Sequence, residues 1–232
     1  SVVCLISTLW NGNANTGDSN AGNNLISIAK YPTLDGSTLA LFISNKIAGK
    51  ATLGFSQKGK PVEAWYFPGT SNRKALIIGG VHGSELAAIE IARELIKQLQ
   101  SGAPSFYSVI IVPCLFPDNA ASALRFPSQI GADANIGRYT HALAIDPNRQ
   151  MPSLGKSFDT QTALDHLGRV IEKENQLLLE LISVFRPQRI VNLHAIRDKA
   201  RAGIYADPRT NSRGIALGYE TDSSLAVDMA RY

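Results

Sequence analysis

The chain has 232 residues, 44% of them hydrophobic and 18% charged, which is the composition of an ordinary soluble globular enzyme. Its net charge is only +4, and the lysines and arginines are scattered without a basic stripe, which argues against nucleic-acid binding. The two cysteines are too few for a disulfide framework, and no apolar run approaches the ~20 residues of a membrane-spanning helix. We therefore expect a cytoplasmic protein that does not bind membranes, with a periplasmic or secreted location left open.

The first 52 residues carry no recognisable motif. Ser1–Trp10 is apolar and is either a strand or the remnant of a processed segment, and Asn11–Asn24 is rich in Asn and Gly, as exposed loops are. We predict that residues 1–52 form an N-terminal extension of unknown role and that residues 53–232 form the main domain.

Beyond residue 53, short apolar runs alternate with helical patterns. The predicted strands are β-branched or aromatic runs bounded by turn residues: Val62–Phe67, Lys74–Ile78, Val109–Val112 and Arg189–Leu193. The predicted helices have apolar residues at near-helical spacing: Leu86–Leu99 and Asp159–Phe185. The strand–helix–strand order predicts a sheet covered by helices on both faces. Phe116–Ser157 is rich in Pro and Gly and is predicted to be a long, functional loop.

Two predicted strands are followed by residues that bind metals. His82 and Glu85 come after Lys74–Ile78, and His194 directly follows Arg189–Leu193. In open α/β sheets, ligands bind at the carboxyl ends of the strands. Two imidazoles and one carboxylate are the three protein ligands of a catalytic zinc, although other divalent ions also accept them. A lone histidine there is more often structural, but two of them with a nearby glutamate favour one Zn²⁺ per chain.

Several short motifs follow one another over most of the chain. They are Gly59–Glu63, Gly80–Glu85, Phe116–Asp118, Asp146–Arg149, Asn192–His194, Ile204–Arg209 and Gly218–Thr221. In order and spacing they resemble the carboxypeptidase A-like metallocarboxypeptidases, most closely the bacterial branch that includes the murein peptide amidases. The resemblance implies an α/β three-layer sandwich with a mixed, mostly parallel eight-stranded sheet, the zinc-dependent exopeptidase fold. It also implies that residues 53–232 are the catalytic domain, with zinc bound by His82, Glu85 and His194.

The resemblance further suggests substrate-binding residues. It implies that Asn148 and Arg149 bind the free carboxylate of a peptide, which suits a guanidinium because it pairs with a carboxylate through two hydrogen bonds. Without the metal ligands, the same pair would be interpreted as an ordinary turn after Pro147. An upstream arginine is expected to stabilise the oxyanion. Arg138 fits the spacing to Asn148, Arg125 fits the spacing from the preceding motif, and Arg138 is preferred.

The resemblance also implies a general-base glutamate on a late strand, after the segment Gly218–Thr221. Glu220 belongs to that segment and is a poor candidate, and the chain ends at Tyr232. We expect that the base lies outside the given residues; the alternative is a protein without this base. Since general bases contribute ~10²–10⁴-fold, that alternative would be a weak enzyme at best.

The leading prediction is therefore a zinc-dependent carboxypeptidase or peptide amidase that acts on a peptide with a free carboxylate, with murein-derived peptides as the substrate that the resemblance suggests. One alternative is an N-acyl amino acid deacylase of the aspartoacylase or succinylglutamate desuccinylase type, which shares the zinc ligands. Another is a noncatalytic zinc- or peptide-binding protein. The sequence does not indicate an oligomeric state.

Overall fold

The computed structural model describes residues 2–7, 36–140, 145–152, 158, 162–196, 200, 203–206 and 219–231. Within these residues the chain forms seven strands and five α-helices. In chain order they are β1 (Val2–Ser7), α1 (Gly36–Asn45), β2 (Gly49–Phe55), β3 (Pro61–Phe67), β4 (Lys74–Ile78), α2 (Leu86–Ser101), β5 (Ser108–Val112), α3 (Pro117–Arg125), α4 (Lys173–Phe185), β6 (Arg189–Ala195), β7 (Gly203–Ala206) and α5 (Tyr219–Ala230). All four predicted strands and the helix predicted at Leu86–Leu99 are present.

The strands form one sheet in the order β2-β3-β5-β4-β6-β1-β7. The central strand β4 is parallel to β5 and β6, and β1 is parallel to β7. The pairs β2–β3, β3–β5 and β1–β6 are antiparallel. The predicted α/β class with a mixed sheet is confirmed.

Two details of the predicted sheet are wrong for the part of the chain that the structure describes. It has seven strands instead of eight, and three of its six neighbouring pairs are parallel, so the sheet is not mostly parallel. At one edge, β2 and β3 are joined by a tight turn in which the amide of Ser56 donates to the carbonyl of Lys60 at 2.8 Å. So short a connection permits only antiparallel pairing.

The sheet has a hydrophobic core on each face because successive side chains of a strand point to opposite sides. Ile110 and Val112 of β5 pack in one cluster, together with apolar residues of α1 and α4. Val109 and Ile111 pack in the other cluster, with apolar residues of α2 and α5. Helices therefore cover both faces of the sheet, in three layers.

The helix predicted at Asp159–Phe185 is wrong for residues 162–172, because α4 begins only at Lys173; residues 159–161 lie outside the described residues. Asp165 Oδ1 accepts hydrogen bonds from the backbone amides of Leu167 and Arg169 at 2.8 and 2.9 Å. A side chain that satisfies nearby amides in this way competes with helix formation. The segment therefore folds into a turn before α4 starts.

The predicted long loop, Phe116–Ser157, contains α3 (Pro117–Arg125). Proline disfavours the interior of a helix, but Pro117 occupies the first helical position, where its missing amide has no intrahelical partner to lose. The loop prediction overlooked this use of proline. Residues 141–144 and 153–157 of the segment lie outside the described residues.

Part of the predicted N-terminal extension contributes to the sheet. β1 (Val2–Ser7) lies between β6 and β7, and Leu39 of α1 packs in the core beside α4. The division of the chain at residue 52 stays a prediction. None of the helices in the described ranges has both the length and the apolarity needed to cross a bilayer.

Candidate metal centre

The three predicted metal ligands come from two neighbouring strands. β4 and β6 are parallel, with Ile78 paired to Asn192, so the loop after β4 meets the end of β6 at one edge of the sheet. His82 and Glu85 lie on that loop, and His194 lies near the end of β6. The structure therefore brings together the residues that the sequence places after two separate strands.

The loop between β4 and α2 depends on two glycines. Gly80 has a φ of +63°, in the left-handed region that glycine adopts without strain. A Cβ on Gly83 would lie 2.3 Å from the amide nitrogen of Ala120 in α3, so only glycine fits there. The amide of Ser84 donates to the carbonyl of Gly137 at 3.0 Å. These contacts fix the backbone that carries the first two candidate ligands.

Glu85 lies between the two imidazoles. Its Oε1 is 2.9 Å from His82 Nδ1, and its Oε2 is 2.9 Å from His194 Nδ1. The possible ligand atoms of the three residues all lie within 4.8 Å of one another, and all three residues are buried. We name this group the His–Glu–His trio. Its donor atoms converge on one point closely enough to hold a metal ion.

The carboxylate of Glu85 stays ionised although it is buried. Burial by itself raises its pKa, but the hydrogen bonds and charges of His194 and His82 outweigh this effect and lower the pKa to about 2. The backbone amide of Ala195 also donates to Oε2 at 3.0 Å. The pKa of His82 is raised, because its hydrogen bonds to Asp146 and Glu85 outweigh the burial that lowers it. An ionised carboxylate beside two imidazoles offers the ligand types that divalent metals bind.

Asp146 is a functional candidate to which sequence reasoning assigned no role. Its Oδ1 lies 2.8 Å from His82 Nε2, on the side of the ring opposite Glu85. In metal sites, a carboxylate in this position fixes the orientation and tautomer of a ligating histidine. The sequence signal was present in the motif Asp146–Arg149, but an aspartate before a proline is also an ordinary turn residue.

The structure separates the two candidate arginines. The guanidinium of Arg138 donates a hydrogen bond to Glu85 Oε1 at 3.1 Å and therefore lies directly beside the trio. Arg125 is the last residue of α3, where its side chain is exposed and stacks on Phe126, with its guanidinium carbon 5.1 Å from the ring centroid. Of the two, Arg138 is the one that contacts the candidate metal ligands.

Asn148 and Arg149 lie in a 3₁₀ turn, Pro147–Arg149, that is capped by Asp146. The amide of Asn148 donates to Asp146 Oδ1 at 2.9 Å. The side chain of Arg149 is exposed, and its guanidinium donates to the carbonyl of Asn148 at 3.3 Å. These residues do form the turn expected after a proline, and one oxygen atom of Asp146 links that turn to His82.

The remaining motifs contribute less to the described site. Asp207–Arg209 and Gly218 lie outside the described residues. Glu220 lies in the first turn of α5 and is exposed. Among the described residues, Asp146 is the only carboxylate besides Glu85 that hydrogen-bonds a histidine of the trio.

Comparison with known proteins gives structural neighbours only. No protein-family model matches the chain, and no curated protein matches it. The similar solved structures include a carboxypeptidase A from Helicoverpa armigera, with 18% identity, a TM-score of 0.45, and coverage of 66% of this chain and 42% of that chain. An aspartoacylase family protein from Mesorhizobium loti has 22% identity, a TM-score of 0.39, and coverage of 60% and 37%.

A third neighbour is the murein-tripeptide amidase MpaA from Escherichia coli O157, with 24% identity, a TM-score of 0.38, and coverage of 69% of this chain and 61% of that chain. The neighbours thus include the groups of proteins that the sequence motifs resemble. This chain spans less than two thirds of the length of each of the three. Because every TM-score is below 0.5, no activity is transferred from these neighbours to the chain.

Proposed function

We propose that this protein is a zinc-dependent hydrolase that cleaves the peptide or amide bond next to a terminal carboxylate. The observation that carries the proposal is the buried His–Glu–His trio, with Arg138 against Glu85 and with Asp146 connecting His82 to the turn of Asn148 and Arg149. A metal site, a guanidinium beside it and a turn that could bind a carboxylate, within a few hydrogen bonds of one another, are the parts that such a hydrolase needs.

The donor set suits zinc. Two imidazole nitrogens and one carboxylate are three protein ligands, which leaves a coordination position for water or substrate. The Nδ1 atoms of both histidines face Glu85, and the other ring nitrogen of His82, Nε2, is hydrogen-bonded to Asp146. Bound here, zinc would polarise a carbonyl group and lower the pKa of a water molecule to ~7. Its ligands would be His82, Glu85 and His194.

The residues around the trio would bind and orient the substrate. Arg138 would stabilise negative charge on the scissile carbonyl oxygen, since its guanidinium already lies beside the ligand Glu85. Arg149 and Asn148 would bind the terminal carboxylate, for which the exposed guanidinium offers two parallel donors. Asp146 would hold His82 in the orientation that directs Nδ1 toward the metal.

We assign no general base. Asp146 already accepts hydrogen bonds from His82 and from the amide of Asn148, which caps the turn, and Glu220 is exposed on α5. The proton-transfer step is therefore assigned to none of the described residues.

The test combines metal analysis with a substrate panel. The purified full-length protein is expected to contain one zinc per chain by mass spectrometry and to hydrolyse a peptide with a free terminal carboxylate at least tenfold faster than the same peptide ending in an amide. A murein-type peptide with γ-glutamyl and diaminopimelate units and a set of N-acylated amino acids complete the panel. Hydrolysis of the N-acylated amino acids alone would favour a deacylase. Binding of the peptide without turnover would favour a noncatalytic protein, and the absence of any bound metal would refute the proposal.

A further inference from the structure

Two buried side-chain amides lie next to the turn Pro147–Arg149 and help to hold it in place. These are Asn175, in the first turn of α4, and Gln150, which directly follows the turn. Both residues are 0% exposed. A buried amide destabilises a protein unless it is hydrogen-bonded, so the partners of these two side chains show what they are for. We name Asn175 and Gln150 the amide clamp.

The amide clamp ties the turn to α4. Asn175 Nδ2 donates to the carbonyl of Pro147 at 2.8 Å and lies 3.3 Å from Gln150 Oε1. Gln150 Oε1 also accepts from the amide of Glu172 at 3.4 Å, and its Nε2 donates to the carbonyl of Val170 at 3.4 Å. Asn175 Oδ1 has no partner among the described residues, so Asn175 acts here as a donor.

The position of Pro147 determines the position of two different groups. The preceding residue, Asp146, uses a single oxygen, Oδ1, both for His82 Nε2 at 2.8 Å and for the amide of Asn148 at 2.9 Å. The ring of proline fixes φ, so the turn moves as a stiff unit. A displacement of the Pro147 carbonyl would therefore shift the partner of a metal ligand and the proposed carboxylate-binding residues, Asn148 and Arg149, together.

We propose that Asn175, supported by Gln150, is a positioning residue for both halves of the site. By holding the carbonyl of Pro147, it keeps Asp146 on His82 and keeps Asn148 in place for a substrate carboxylate. The affinity for the metal and the selectivity for a substrate carboxylate thus both depend on one buried hydrogen bond, which contacts neither the metal nor the substrate. This inference rests on the proposed function.

The test compares two neighbouring amides of the same helix. Asn175→Ala removes the hydrogen bond to Pro147, whereas the control Gln176→Ala removes a 2.7 Å hydrogen bond from Gln176 Nε2 to the carbonyl of Ile171, which is not on the turn. The dissociation constant of Zn²⁺ is measured by competition with a chromogenic chelator. Selectivity is measured as the ratio of kcat/KM for a peptide with a free carboxylate to that for its terminal amide.

Loss of a direct hydrogen-bond partner of a metal ligand weakens metal binding by ~10–100-fold. Because Asn175 acts through such a partner, Asp146, Asn175→Ala is expected to weaken Zn²⁺ binding by about tenfold and to reduce the selectivity ratio at least fivefold. Gln176→Ala is expected to leave both quantities within twofold of the unmodified protein. A merely structural role would lower the melting temperature of both variants without changing the zinc affinity of the folded protein.

Circular dichroism establishes that each variant is folded. If Asn175→Ala does not fold, Asn175→Leu removes the donor while filling the space, and Gln150→Met removes the other amide of the clamp. If the unmodified protein binds zinc but a folded variant keeps zinc affinity and selectivity within twofold, the inference is overturned while the proposed function stands. If the unmodified protein binds no zinc, the proposed function fails and the inference fails with it.

Discussion

Two of the buried carboxyl groups in the described part of the chain, Glu85 and Glu174, have pKa values shifted in opposite directions. Glu85, in the His–Glu–His trio, is 8% exposed and has a pKa lowered to about 2. Glu174, in the first turn of α4, is 2% exposed and has a raised pKa. Burial raises the pKa of a carboxyl group in both places, so the difference must come from what surrounds each group.

Glu174 belongs to an acidic cluster formed by Asp118, Glu172 and Glu174. Its Oε1 accepts from the backbone amide of Gln57 at 3.3 Å, and Asp118 Oδ2 accepts from the amide of Lys58 at 2.9 Å. Glu174 Oε2 and Asp118 Oδ1 have no hydrogen-bond partner among the described residues. Burial is the main reason for the raised pKa of Glu174; the charges of Glu172 and Asp118 add to it, and backbone amides oppose it.

Glu85 is surrounded differently. Both of its oxygens face imidazole nitrogens, and Arg138 and the amide of Ala195 add two further donors. Burial raises the pKa of both carboxyl groups; at Glu85 the hydrogen bonds and charges of His194 and His82 outweigh burial, whereas at Glu174 the backbone amides do not. The trio combines the ionised carboxylate of Glu85 with two imidazoles, which are ligand types that bind divalent metals, whereas the acidic cluster offers no imidazole.

The largest effect is expected for Glu85→Gln. A neutral amide would remove the negative charge between His82 and His194, so bound zinc and hydrolysis of a terminal-carboxylate peptide should both fall to background. Metal content after dialysis and the rate of hydrolysis are the measurements. The control is Glu90→Gln, at a side chain of α2 that is 65% exposed, which should change neither. An unchanged metal content in Glu85→Gln would refute the ligand assignment.

The next effect concerns the two arginines. Arg138→Ala is expected to lower kcat by ~10²–10³-fold, as the loss of an oxyanion donor does, because its guanidinium lies against Glu85. Arg125→Ala should leave kcat within twofold, since Arg125 stacks on Phe126. Steady-state kinetics on both variants distinguish them. The reverse result, a large loss for Arg125→Ala alone, would transfer the proposed role to Arg125.

The sequence predicts the centre of the site because its signals are local. His82 follows a buried apolar strand and His194 lies at the end of another, and strand–helix–strand order predicts parallel strands. Their ligands then meet at one edge of the sheet. The same reasoning preferred Arg138 to Arg125 only because of its spacing to Asn148, since the path of the segment that carries Arg138 depends on contacts such as that between Ser84 and Gly137.

Other features were missed because competing local interactions decide them. The contact between Asp146 and His82 joins residues that are far apart in the chain, and no periodicity marks it. The predicted start of α4 was too early because Asp165 bonds the amides of Leu167 and Arg169 and forms a turn instead. Hydrophobic pattern describes which side of an element is buried, but it does not describe such polar contacts.

The smallest effect is expected at the acidic cluster. The pKa of Glu174 is raised in the folded state, so the folded protein binds this proton more tightly than the unfolded chain does. The resulting stabilisation is fully present below the ordinary pKa of a glutamate. It is lost as the pH rises through the pKa that Glu174 has in the folded protein. Glu174→Gln cannot ionise, so its free energy of unfolding should exceed that of the unmodified protein by on the order of 1 kcal/mol at pH 7 and should match it at pH 4. Urea denaturation at both pH values, with a chelator present, measures the difference.

The matched control is Glu94→Gln, at a side chain of α2 that is 57% exposed, which should alter stability by less than ~0.5 kcal/mol at either pH. The pH dependence is the decisive part of this experiment. A gain of equal size at pH 4 and pH 7 would mean that the new amide stabilises the cluster by donating to an unpaired oxygen such as Asp118 Oδ1, and that charge plays no part. That result would also refute the raised pKa of Glu174, because a raised folded-state pKa requires the gain in stability to grow between pH 4 and pH 7.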